Sequence, residues 1–392
     1  MATPPKRRWT TRPLAAIRKK LFRPSLYVFW LTLLAVGFFV LTFYVNRRFA
    51  VRQRQLSSYW FQQAQALLEQ GRAKDAILDL RTALFYSHEN PQYSFALAQA
   101  LATANQTLAA RSYFLNLLQD EPGNGSVNLE LARLAVKEND ASGARRYFNS
   151  AIYGTWDRDP ILRRQQVRQE LINFLIARGL KTQARGELLT FTADMPNTPN
   201  LQLWVARAFT RLDDDRSALD FYTAALPSDR RDVAALLGAG WSAFRLGRYR
   251  EALEYFKGAD AIHQDPATSQ MIGLVSLVID LNPFESRLSA AERRHRVILA
   301  MDIIDHRLQQ CSEAQQVALE KTTGNPLQMA RSQWIYLDRQ VRLAYKNADL
   351  VQLLAPIATL VTNIEQQNGC GSATPNDQAM LRIYQNGEEL RP

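Results

Sequence analysis

One spacing constrains this chain more than anything else in it. Anchor alanines stand at Ala76, Ala110, Ala144, Ala184, Ala218 and Ala252, at intervals of 34, 34, 40, 34 and 34 residues. Four residues after each anchor comes a large apolar side chain: Leu80, Phe114, Phe148, Leu188, Tyr222 and Phe256. Three further on come Ala83, Leu117, Ala151, Phe191, Ala225 and Ala259. Twelve before the anchors lie Ala64, Ala98, Ala132, Ile172, Ala206 and Gly240. Steps of four and three put side chains on one face of a helix. Gly71, Gly179 and Gly247 mark a turn between two helices, where a left-handed cap suits glycine. Each unit is therefore a helical hairpin. A lone hairpin leaves its apolar face in water, whereas stacked neighbours bury it. The spacing predicts an all-α, right-handed solenoid with a concave side. Six extra residues in the 40-residue interval are expected in a longer connection near 153–160.

The composition agrees. Apolar residues make up 47% of the 392 residues and charged residues 22%, with only 17 Gly and 16 Pro. Ala, Leu, Arg, Gln and Glu dominate, which favours helix. The net charge of +11 is not spread evenly. Residues 1–54 hold twelve Lys or Arg and no acid, and the remainder nets −1. A basic footprint confined to an arm does not point to nucleic acid.

That arm flanks an uncharged run of 20 residues, Leu26 to Val45. As a helix it spans about 30 Å, the thickness of bilayer hydrocarbon. Tyr27 and Trp30 near one end and Phe43 and Tyr44 near the other suit the interfaces. The run exceeds a signal-peptide core, and no small-x-small cleavage pattern follows. It is expected to be an uncleaved transmembrane anchor. Eight basic residues precede it and Arg47, Arg48, Arg52 and Arg54 follow, so the positive-inside rule puts the N-terminus in the cytoplasm and the rest outside it. Both clusters can touch anionic headgroups. The expected organisation is a basic cytoplasmic arm (1–25), an anchor (26–45), a basic juxtamembrane linker (46–56), six repeats (57–266) and a C-terminal helical region (267–392). The last reads as degenerate repeat-like hairpins, with a separate small helical domain as the alternative. Pro356 is expected to kink or split a helix there.

The Ala252–Phe256–Ala259 set, with Gly240 and Gly247 upstream, resembles the tetratricopeptide repeat family. The usual first-helix Trp is mostly absent, and Ile172 replaces a small residue. The resemblance implies that the first helix of each unit faces a groove. Its ladder would be the residue after each small first-helix position: Gln65, Gln99, Arg133, Asn173, Arg207 and Trp241. Leu129, Leu203 and Leu237 stand four residues before the later rungs, and Lys137, Arg211 and Arg245 one turn beyond. Aliphatic shelves beside arginines suit a peptide or protein partner with some acidic character. Equally, these arginines could be a solvated face paired with Glu on a neighbouring helix. The Lys/Asn clamp of chaperone-tail binders is not matched.

No catalytic constellation is legible. The histidines are His88, His263, His295 and His306, and no H-E-x-x-H, P-loop, G-x-G-x-x-G or G-x-S-x-G occurs. No cofactor or metal is expected. Asp213, Asp214 and Asp215 fall at an inter-helix turn, where acids cap the following helix. Glu292-Arg293-Arg294-His295-Arg296 follows a Ser289-x-x-Glu292 capping box and is expected to be a solvated helix start. Two cysteines, Cys311 and Cys370, lie near helix ends with no C-x-x-C, and export would make a disulfide between them plausible. The architecture resembles bacterial inner-membrane repeat proteins facing the periplasm. It implies a non-enzymatic scaffold or assembly factor, with a permanent structural subunit of a membrane complex, or an enzyme accessory, as alternatives.

Overall fold

The computed structural model describes residues 15–227, 229–285, 287–319, 324–344, 346–366 and 370–387, with side chains from residue 27 to 385. Among these, every regular element is a helix, and one isolated bridge joins Asn124 and Thr155. The chain divides into two compact units, Met1–Arg168 and Gln169–Pro392.

In the first unit α1 (Ala15–Glu69) pairs with α2 (Ala73–Tyr86), α3 (Pro91–Thr103) with α4 (Thr107–Asp120), and α5 (Gly125–Lys137) with α6 (Ala141–Tyr153). Successive hairpins touch through α2 and α3, then α4 and α5. α7 (Pro160–Ala177) contributes residues to both units. The second unit continues with α8 (Lys181–Asp194), the hairpins α9 (Pro199–Arg211)–α10 (Asp215–Ala225) and α11 (Val233–Arg245)–α12 (Tyr249–Ile262), and α13 (Pro266–Leu281). α14 (Ala290–Gln315), α15 (Pro326–Leu343), α16 (Asn347–Glu365) and α17 (Pro375–Gly387) complete it.

The repeat positions are the core. All six anchor alanines are fully buried, as are Leu80, Phe114, Leu188 and Phe256 four residues later. Gly240 shows why the first-helix position is small: a Cβ there would sit 2.9 Å from the Phe256 ring. Each hairpin turn holds one residue at positive φ. Gly71, Gly179 and Gly247 do so at +75°, +69° and +74°, and Asn105, Asn139 and Asp213 take the same place at +65°, +61° and +59°. The next amide closes the helix by bonding back five residues, as Arg72 does to the Leu67 carbonyl at 2.9 Å and Gln106 to Leu101 at 2.8 Å. This is the Schellman pattern, repeated at every turn.

Several expectations need correction. Most of the extra length goes into a helix, for α7 has 18 residues against 13 in α5, while the connection 154–159 is only slightly longer than 121–124. Residues 154–159 still form a link, tied to the first unit where the Thr155 amide donates to Gly123 O and the Gly125 amide to Thr155 O, both at 2.8 Å. Residues 46–56 lie inside α1. Asn46 to Leu56 holds no Gly or Pro to stop a helix. At 55 residues α1 is about 82 Å long, and its segment from Tyr27 onward is a candidate membrane span, exposed throughout its apolar part. Pro356 does not split α16, which runs through it.

The start of α14 is the largest departure. Ser289 Oγ accepts from the Glu292 amide at 3.1 Å as a cap should. Arg293, however, is buried, donating to the carbonyls of Pro283 and Glu285 at 2.9 Å and to Asn347. Arg296 donates to Ile279 O at 2.8 Å and Asn282 O at 3.0 Å and pairs with Glu292. The orphan carbonyls at the end of α13 need donors, and arginine forks reach several at once.

Candidate functional site

In both units the position after each small first-helix residue points away from the core. Gln65, Arg133, Asn173, Arg207 and Trp241 are exposed and Gln99 is half-buried, although their neighbours Ala64, Leu134, Ile172, Ala208 and Ser242 are buried. Leu203 and Leu237, one turn before the last two rungs, are half-buried. The pattern follows from helix geometry, since a residue beside the packed stripe lies at its rim.

In the first unit these rungs edge a cleft of about 400 Å³, with Gln99, Thr103, Glu130, Arg133 and Lys137 on its polar side and Leu68, Ala102 and Leu134 on its apolar side. Its charges are already engaged. Glu130 Oε1 accepts from Gln99 at 3.2 Å and from Arg133 at 2.9 Å, and Lys137 Nζ donates to Ala102 O at 3.1 Å.

The second unit repeats that habit. Arg211 donates to Asn173 Oδ1 at 3.2 Å. The Arg245 guanidinium grips Asp215, with Nε 2.7 and 2.8 Å from its two oxygens and Nη2 at 2.6 Å. Lys181 pairs with Asp213, holding its carboxyl below the ordinary aspartate range. Lys137, Arg211 and Arg245 all sit five residues after the small first-helix position, and each reaches back to the preceding hairpin. Three of the cations expected to meet a partner thus staple successive repeats. Arg207 is exposed and forms no ion pair or hydrogen bond among the described residues. Trp241 is 40% exposed, its ring packed edge-on against Phe244 and Phe256.

A third cluster surrounds the cysteine pair, and apart from the two cysteines it was missed from the sequence. Cys311 and Cys370 form a disulfide. One helical turn before Cys311, Arg307 is buried and donates to Glu365 Oε1 at 3.0 Å, Cys370 O at 3.2 Å and Ser372 O at 3.4 Å. Arg382 Nη2 donates to the carbonyls of Phe244 and Arg245, both at 2.9 Å. Their sequence separations carry no periodic signal. Among the described residues, no group of three or more His, Cys, Asp or Glu could hold a metal ion.

Stacked helical hairpins with exposed first-helix rungs define the class: a helical-repeat protein built to present a surface. The tetratricopeptide repeat profile matches residues 61–124, 95–160 and 206–267, so the chain carries tetratricopeptide repeats in both units, and such repeats are modules for binding proteins or peptides. No curated protein matches the chain by sequence. Solved structures similar to it include PilF of Pseudomonas aeruginosa, with 16% identity over 56% of this chain and 98% of that chain and a TM-score of 0.40. PilW, a type IV pilus biogenesis factor, is 18% identical over 56% and 98%, with a TM-score of 0.40. YrrB, a repeat protein with an unusual peptide-binding site, is 15% identical over 50% and 97%, with a TM-score of 0.39.

Proposed function

We propose that the chain is a membrane-anchored scaffold that captures a protein or peptide partner on its first-helix rungs and serves the assembly of a membrane or envelope complex. The observation that carries this is the alternation at the rungs, where exposed Arg207 and Trp241 stand between buried repeat residues. Arg207 has its charge to offer and favours an acidic group on the partner, while Trp241 with Leu237 and Leu203 offers an apolar shelf. In this reading Lys137, Arg211 and Arg245 hold the repeats, and Arg133 and Asn173 border the surface. The apolar part of α1 inserts in the bilayer with the repeats outside the cytoplasm, so the anchor confines encounters to the membrane surface.

The test is affinity purification of the full chain from mild detergent, with partners quantified by mass spectrometry. The Arg207→Glu variant is expected to lose its main partner at least tenfold with an unchanged melting temperature. Trp241→Ala is expected to lose it too, with a lowered melting temperature, since the Trp241 ring also packs on Phe244 and Phe256. Recovery equal to wild type removes this reading.

A further inference from the structure

The last helix lies against α13 and reaches the end of α11 through Arg382, far from its place in the chain order. α13 follows α12 as a seventh first helix would, yet it packs more extensively on α17 than on α14, the next helix along. Ala379, Met380, Ile383 and Tyr384 bury one face of α17, and the Tyr384 ring meets Phe284 edge-on. Beyond α13, Arg382 reaches the end of α11, bonding the carbonyls of Phe244 and Arg245 with its guanidinium 4.8 Å above the Phe244 ring.

That contact has one precedent in the repeats. In the first unit, the carbonyl four residues after a small first-helix position is Ala102 O, and Lys137 of the next first helix caps it. The equivalent carbonyl of α11 is Phe244 O. The residue 34 after Arg245 is Ile279, which has no side-chain donor. Arg382 of α17 supplies the missing cation from outside the repeat.

The two ends of α17 are held very differently. Before it, Cys370 is bonded to Cys311 of α14, and Arg307 clamps the carbonyls of Cys370 and Ser372. Asp377 caps the first turn, accepting from the Thr374 amide at 2.8 Å and Oγ1 at 2.7 Å. In the second half, Tyr384 Oη and Arg382 Nε are buried without a hydrogen-bond partner among the described residues. Unpaired buried polar atoms weaken docking there.

We propose that α17 is a tethered occupant of α13 and of the C-terminal end of α11, latched at its start by the Cys311–Cys370 disulfide and releasable at its end. The tether keeps the occupant at high effective concentration, so the face stays closed while the disulfide is intact. Opening it exposes the α13 surface and uncovers Phe244 at the end of α11, whose ring packs on Trp241. The inference does not depend on any partner being captured there.

Amide hydrogen exchange on the full chain in detergent micelles tests this. In the Cys311→Ser/Cys370→Ser variant, residues 376–387 are expected to exchange at least tenfold faster, and residues 266–281 several-fold faster, with α9 and α10 unchanged. Arg382→Ala, which keeps the disulfide, is expected to speed exchange at 380–387 alone. If the cysteine variant loosens the whole unit, Arg382→Ala decides: a rise confined to 380–387 while the disulfide holds 370–376 supports an occupant fixed at its start and releasable at its end. Unchanged protection of 380–387 in Arg382→Ala, or a rise shared by α9 and α10, overturns it.

Discussion

Tyr384 buries its whole ring and leaves its hydroxyl without a partner among the described residues. Burial pushes its phenol well above the usual tyrosine range, so it stays neutral at any physiological pH. A buried hydroxyl that bonds nothing costs about 1–3 kcal/mol, and removing it with no change of shape restores that. Tyr384→Phe is therefore expected to be neutral or to stabilise by about 1 kcal/mol, read as a rise in the melting temperature of the second unit. A loss above about 1 kcal/mol would show that the hydroxyl is bonded. Residues of this kind were not legible in the sequence. Gly240 and Phe256 were, because packing positions recur and a recurrence can be counted. Tyr384 and Arg382 occur once, in an environment that exists only after the chain folds back.

At the scale of elements, the six hairpin turns make one device from three residue types. The left-handed conformation penalises an ordinary L-residue by about 1–2 kcal/mol, spares glycine and is tolerated by Asn and Asp. Asn105 sits at φ +65° in this slot. Asn105→Ala is expected to destabilise the first unit by about 1 kcal/mol and Asn105→Gly to be near neutral, both by chemical denaturation. Equal effects would mean that the turn does not demand the conformation. The three glycines were read as turns beforehand, and Asn105, Asn139 and Asp213 fall between them on the same 34, 34, 40, 34 and 34 spacing as the anchors, though Asp213 was read as a cap of the following helix. The staples were not legible. Lys137, Arg211 and Arg245 were visible as cations on a face, but whether a cation meets a partner or the neighbouring hairpin depends on which acceptor lies within about 3 Å. The solvated reading of Arg293 and Arg296 failed for the same reason: charge predicts exposure until orphan carbonyls supply a reason for burial.

For the whole molecule, α1 runs without a break from the apolar run into the first hairpin. A continuous helix passes on both height and rotation, whereas a flexible linker would pass on neither. Eight basic residues precede the apolar run and four follow it, so a reporter fused after residue 392 is expected to be active when it requires export and silent when it requires the cytoplasm. The opposite result would move the repeats to a reducing compartment and remove the chemical basis for the Cys311–Cys370 bond. By itself the sequence determined the helical-hairpin repeat, the buried anchors and the apolar run, because each is a local pattern whose period equals that of the helix or the repeat. The continuation of α1 through the juxtamembrane segment is local, since no Gly or Pro stops the helix there. Tertiary structure alone decided which cations are spent between hairpins and that α17 returns to pack on α13 and reach the end of α11. Those outcomes rest on contacts between residues as far as 138 positions apart, and no sequence period records which distant groups will share a buried hydrogen bond.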